Sequence, residues 1–208
     1  MINNKYIAIE GAIGVGKTTL AQTISNTMKC QTLFEDYSDN PFLKKFYDQN
    51  QSNSFSTQLY FLLKRIEQSE KINRTDNMLV SDFYFGKDEL FARLNLSELE
   101  FEMYNSIKNK LNFIPPVPDL IIYLQAPTDI LMERIRKRAL SIEKHIKKDY
   151  IQSVNDIYMK HFHEYTSSPV LIINTSNVNI NNQNDYQLLI EEISSDINGK
   201  KYFNPSSI

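Results

Sequence analysis

The stretch Ile9 to Ile24, IEGAIGVGKTTLAQTI, holds the residue types best suited to gripping a polyphosphate. Gly11, Ala12, Ile13, Gly14, Val15, Gly16, Lys17 and Thr18 fit the pattern G-x-x-x-x-G-K-[ST] between a strand pattern and a helical one. The glycines let backbone N–H groups converge on phosphate oxygens, and the following helix N-terminus adds its dipole. Lys17 would reach the β and γ phosphates, and the Thr18 hydroxyl would ligate Mg²⁺. Thr19, in the first helical turn, completes the expected ATP-binding set. Such a loop points to a nucleoside triphosphate and leaves the phosphate acceptor open. The chain has no N-K-x-D stretch for reading guanine, and the Lys-Thr ending disfavours a dinucleotide loop.

Other residues bear on the acceptor. Glu35, in LFEDYSDNPF, follows a strand pattern expected beside the first strand and could take a proton from a hydroxyl. The same carboxylate could instead serve a turn or cap a helix. Gln58 and Arg65, seven apart, share the shoulder of a helical face formed by Phe55, Leu59, Leu62 and Ile66. A glutamine offers both a donor and an acceptor to a base edge, although a solvated flank has the same spacing. Asp82 ends MLVSDF, where P-loop proteins keep a carboxylate near Mg²⁺, and where an acid can also simply terminate a strand. Arg134, Arg136, Lys137 and Arg138 make a basic helix end. That end suits either solvent and the helix dipole or a lid closing on a triphosphate. His145, His161 and His163 lack metal-ligand spacing, and Cys30 fits a strand edge.

Five apolar runs must position these groups: Tyr6 to Ile9, Thr32 to Phe34, Met78 to Ser81, Leu120 to Leu124 and Val170 to Ile173. Helical spacing separates them over residues 17–27, 40–47, 55–71, 87–93, 97–111, 128–138, 147–165 and 185–197. Alternation of this kind predicts an α/β fold, a five-stranded parallel sheet with helices on both faces and ligands at the strands' carboxyl ends. Asn112 to Asp119, NFIPPVPD, is a stiff connector. Ser176 to Asn184 is a polar loop, and the tail from Asn198 to Ile208 is expected to be loosely held.

Length and composition set the outer bounds. A chain of 208 residues with 41% hydrophobic and 23% charged residues fits a single globular domain spanning 1–208. A formal charge of -2 gives no bulk attraction to nucleic acid. The lone Cys30 excludes an internal disulfide, and no apolar run approaches the ~20 residues that span a bilayer. A strand starting this close to Met1 leaves no room for a signal peptide, so a cytoplasmic location is expected.

Taken together, YIAIEGAIGVGKTTLA, FEDYSDNPFLKKFYDQ, STQLYFLLKR, VSDFYFGKDELFARLNL, PDLIIYLQAP and ERIRKR followed by Glu143 resemble the deoxynucleoside kinase family. The closest resemblance is to its bacterial deoxyguanosine and deoxyadenosine kinase-like members, over about residues 5 to 165. The resemblance implies ATP and Mg²⁺ as cofactors, a deoxynucleoside substrate and a homodimer. It makes Glu35 the base for the 5′-hydroxyl, Gln58 and Arg65 the base-reading pair, and Tyr47 with Glu143 the holders of the 3′-hydroxyl. Phe91 becomes an aromatic against the base, and Arg134 and Arg138 become catalytic lid arginines beside Lys17.

The pattern is departed from in two places. Leu140 stands where many members have the second arginine of R-G-R, and Asp82-Phe83-Tyr84 replaces a common Glu-Arg-Ser. Asp82 then inherits the metal role with Thr18. Lys87 is a candidate for the lost arginine, and Asp88 for helping Arg65 read a purine. The rivals are a nucleoside monophosphate kinase and a nucleotide-binding module without catalysis.

Overall fold

Strands buried on both faces have no reason to alternate, and the central ones here are apolar almost throughout. The computed structural model describes residues 5–48, 53–73, 75, 77–178 and 182–205. Every residue of β1 (Tyr6–Gly11) is buried, as are all but the last residues of β4 (Leu120–Gln125) and β5 (Val170–Asn174). With β2 (Gln31–Leu33), β3 (Leu79–Ser81) and β6 (Lys200–Phe203) they form a parallel sheet in the order β2-β3-β1-β4-β5-β6.

Two expectations about the sheet are corrected. The strand leading to Glu35 does not lie beside β1, because β3 and β4 take both edges of β1 and β2 pairs only with β3. The sheet also has six strands, since the tail expected to be loose pairs with β5 from Val170↔Lys200 to Ile173↔Phe203. Phe203 is buried in the core while Lys200, Lys201 and Tyr202 stay exposed, so this edge strand has one apolar anchor and no strong sequence pattern. Residues 206–208 of that tail lie outside the described residues.

The helices are α1 (Lys17–Met28), α2 (Leu43–Asp48), α3 (Ser54–Asn73), α4 (Lys87–Asn95), α5 (Glu98–Leu111), α6 (Thr128–Arg138), α7 (Lys148–Glu164) and α8 (Gln183–Ile193). α2 begins three residues later than its spacing suggests. Pro41 disfavours helical geometry at Asn40, whose Oδ1 instead accepts the Phe42 N–H at 3.0 Å. α8 begins inside the expected polar loop because the Asn182 side chain caps it, accepting from Asn184 N and Asp185 N. It ends at Ile193, short of the expected 197, and residues 179–181 of the loop are not among those described.

The main core surrounds the sheet, and a smaller cluster of Leu62, Phe85, Ala92 and Tyr104 joins α3, α4 and α5. The chain leaves β1 toward one edge of the sheet and β3 toward the other. The crevice between their carboxyl ends is therefore the place where a ligand is expected.

Candidate active site

β1 delivers the chain into that crevice through a turn that only glycine can make. Gly11 has φ +144°, and a Cβ there would stand 2.3 Å from the Leu124 carbonyl oxygen. Gly16, at φ +107°, turns the backbone into α1. Lys17 Nζ donates to the carbonyls of Gly11 at 2.8 Å and Ala12 at 3.2 Å, so the ammonium is held inside its own loop. Burial, with the nearby charge of Lys87, lowers its pKa to about 8.

Asp82, just past β3, links two sides of the crevice. Its Oδ2 accepts from the Thr18 hydroxyl at 2.5 Å, and its Oδ1 accepts from the Glu35 backbone N–H at 2.7 Å. The Gln68 side chain also holds this segment by donating to the Phe34 carbonyl at 2.6 Å. The chain after the short strand β2 is thus fixed by Asp82, which follows β3, and by Gln68 of α3.

The Glu35 carboxylate is gripped on both oxygens. Arg65 Nε donates to Oε1 at 2.8 Å, and Lys87 Nζ donates to Oε2 at 2.7 Å. Burial alone would raise the pKa, but the charges of Lys87 and Arg65 and their hydrogen bonds outweigh it and hold the group at about 2. Lys87 is itself buried and lies 3.9 Å from Glu10 Oε1; the two carboxylates carry its pKa upward against the cost of burial. Arg65 Nη1 turns away to Asp88 Oδ1 at 2.5 Å, and the Tyr104 hydroxyl donates to the other Asp88 oxygen.

Lys17, Thr18, Glu35, Tyr47, Gln58, Arg65, Asp82, Lys87, Phe91, Arg138 and Glu143 all line one cleft, together with Ile13 and Gly14 of the loop. Arg138 closes it from the end of α6 by gripping both Glu143 oxygens, with Nε to Oε2 at 2.7 Å and Nη2 to Oε1. Tyr47 sits beneath, edge-on to Phe46 and Tyr150, its phenol pKa pushed up by burial and by nearby Tyr150 and Glu143.

Two expected site residues, Asp88 and Arg134, stand outside the cleft lining. Asp88 is fully buried behind Arg65 with both oxygens engaged and does not line the cleft, so it is placed to orient Arg65 rather than to touch a base. Arg134 lies on the far side of the phosphate loop. It donates to the Thr175 carbonyl and hydroxyl, each at 2.8 Å, and to the Val15 carbonyl at 3.3 Å. Thr19 and Gly16 share that outer pocket, away from Glu35. Arg134 is held there because Thr175, just past the end of β5, captures its guanidinium.

The sequence reasoning missed Glu10 and Tyr158. Glu10 is fully buried, and it accepts from Tyr158 OH at 2.8 Å, Gly11 N at 3.1 Å and Tyr84 N at 3.0 Å. The available signal was an acid inside the otherwise apolar run YIAIEG.

A family model described as deoxynucleoside kinase matches residues 7–198. The chain belongs to the deoxynucleoside kinase family. A deoxyguanosine kinase of Bacillus subtilis is 36% identical over 157 residues, covering 74% of this chain and 76% of that protein. A deoxyadenosine/deoxycytidine kinase of the same organism is 27% identical over 201 residues, covering 92% and 93%. In fold, the structure of a deoxyadenosine kinase from M. mycoides with bound dATP matches with a TM-score of 0.81 at 24% identity, over 92% of this chain and 100% of that one. Within the family, the departures noted above now have positions. Lys87 lies against Glu35, and Leu140 is half-buried beside Met132, Ile135 and Ala139.

Proposed function

We propose that this chain, a deoxynucleoside kinase, moves the γ-phosphoryl group of ATP onto the 5′-hydroxyl of a purine deoxyribonucleoside, with Glu35 receiving the hydroxyl proton. The observation that carries this is one cleft holding both Lys17 of the phosphate loop and a Glu35 carboxylate fixed by Arg65 and Lys87. In the transfer the bond from the γ-phosphorus to its bridging oxygen breaks and a bond to the 5′-oxygen forms. The hydroxyl proton passes to Glu35 and on to water, and ADP departs.

A carboxylate with a pKa of about 2 is a weak base. That suffices here, because the loose transition state of phosphoryl transfer needs little deprotonation of the attacking oxygen and gains most from alignment. Glu35 accepts the hydroxyl hydrogen bond and aims the oxygen, while Lys87 and Lys17 offset charge on either side. Arg138 serves the triphosphate from the lid, and Tyr47 with Glu143 holds the 3′-hydroxyl. Arg134, with Thr19, serves the outer part of the donor nucleotide.

The residues present fit a magnesium ion. Thr18 and Asp82 offer hard oxygen donors already in contact, and Mg²⁺ sites in such enzymes need only one or two protein oxygens beside the phosphates. When bound, the ion would neutralise phosphate charge. A monophosphate acceptor is disfavoured, because its dianion would meet an ionised Glu35. Homodimerisation through α5, where Leu99, Met103 and Leu111 stand exposed, and a cytoplasmic location complete the proposal. Among the described residues, no helix is long and apolar enough to cross a membrane.

The test is transfer from γ-labelled ATP to deoxyadenosine and deoxyguanosine by wild type and Glu35→Gln. We expect nucleoside monophosphate from the wild type, a fall in turnover of ~10²–10⁴ in the variant and unchanged ATP affinity. Near-normal turnover in Glu35→Gln would sink the mechanism.

A further inference from the structure

One cleft residue, Asn95, has no part in the function above. α3 and α4 run antiparallel: Ile66 and Phe85 line a small cavity at one end, Arg65 meets Asp88 near it, and Gln58 and Asn95 both line the cleft toward the other end. Seven residues back from Arg65 is Gln58, and seven forward from Asp88 is Asn95. Each step covers about 10 Å of helix, so each amide lies about two turns along its own helix from the Arg65–Asp88 pair, and both line the cleft.

Both are buried, Gln58 at 2% exposure and Asn95 at 8%. Gln58 Oε1 and both amide atoms of Asn95 have no hydrogen-bond partner. The Asn95 side chain reaches the Tyr150 phenol and lowers its pKa against the effect of burial, but the contact falls short of full hydrogen-bond geometry for either amide atom. Buried polar atoms left unbonded destabilise a fold, so three of them at one end of a cleft point to a ligand that satisfies them. Asn95 also follows Phe91 by four residues and Lys87 by eight, so one helix face presents all three to the cleft. Lys87 marks the reacting end of this row and Asn95 its far end.

We propose that Asn95 is a specificity-determining residue, a second amide that holds the edge of the base opposite the one Gln58 takes. This rests on the deoxynucleoside reading above. Two facing amides suit a purine. Adenine and guanine carry polar atoms on the Watson–Crick edge and N7 on the other, whereas a pyrimidine presents an apolar C5 on that second edge. Asn95 Nδ2 can donate to N7, and Oδ1 can accept from the exocyclic amine of adenine.

The experiment compares wild type with Asn95→Leu, similar in size and without hydrogen bonds, and with Asn95→Asp, which keeps the polarity and loses the donor. Each is assayed for kcat and KM with deoxyadenosine, deoxyguanosine and deoxycytidine, and melted without ligand. We expect both variants to lose about tenfold in kcat/KM for purines, mainly through KM, with deoxycytidine little changed. Asn95→Leu should melt no lower than wild type, because two unbonded polar atoms are gone.

A uniform loss across all three substrates together with a lower melting temperature overturns the proposal, since that is what a structural role gives. So does an unchanged purine to pyrimidine ratio in a wild type that phosphorylates purines, which leaves the kinase reading intact. A wild type that phosphorylates no nucleoside overturns both.

Discussion

Lys87 Nζ lies 2.7 Å from Glu35 Oε2, on the oxygen that Arg65 leaves free. A lysine from the first turn of α4 thus reaches the Glu35 carboxylate, which in the proposed reaction is the group the phosphate acceptor approaches.

That contact sets a pH dependence of stability. The folded pKa of Glu35 is about 2, below its ordinary 4.5. Its contribution is therefore fully present above pH 4.5 and is lost as pH falls from there toward 2. Wild type should exceed Glu35→Gln in denaturant stability at pH 7, and the gap should shrink between pH 4.5 and 3. A gap that stays constant over that interval would contradict the ionised, doubly paired carboxylate.

Lys17 has the opposite sign. Its folded pKa of about 8 lies below 10.5, so burying its charge costs stability below pH 8 and the cost fades as pH rises from 8 to 10.5. A bound triphosphate restores a counter-charge, so ATP binding at pH 8 should take up a fraction of a proton. Calorimetry in two buffers of different ionisation enthalpy measures this. Identical apparent enthalpies would show that the ammonium is already fully charged.

Gly11 and Gly199 both have positive φ, but only at Gly11 would a Cβ strike backbone. Gly11→Ala should lower stability by more than about 3 kcal/mol, while Gly199→Ala should cost about 1 kcal/mol from strain alone. Equal melting curves for the two variants would argue against the close approach of the loop to β4.

Arg138 is bound to Glu143 on both oxygens, so its removal should be felt by both substrates. Arg138→Met should lower kcat by ~10³ or more, the scale of arginine in phosphoryl transfer, and raise KM for the nucleoside. Glu143→Gln should raise the nucleoside KM with a smaller effect on kcat. Steady-state kinetics of the pair would show whether the two residues act together.

Much of this was legible in the chain. The loop from Gly11 to Thr18 declares itself by local chemistry, and buried strands such as Leu120–Gln125 declare themselves by unbroken apolar runs. Gln58 and Arg65 were legible as a pair because helical periodicity puts them on one shoulder. What stayed hidden was relational. Strand order decides that β2 lies beyond β3, and an edge strand anchored by Phe203 alone leaves almost no pattern. Lys87 resembles any basic residue in a first helical turn until its partner, 52 positions away, is seen. Arg134 and Asp88 carry the right residue types, but their neighbours Thr175 and Tyr104 decide where they point.

Asp82 touches Thr18 with one oxygen and the amide of Glu35 with the other. A single rigid group of two oxygens therefore joins the phosphate loop to the segment that carries Glu35. In the proposed transfer, a shift on the phosphate-loop side would pass across the width of one carboxylate to the Glu35 peptide, so a side chain would help set the gap between phosphorus and attacking oxygen.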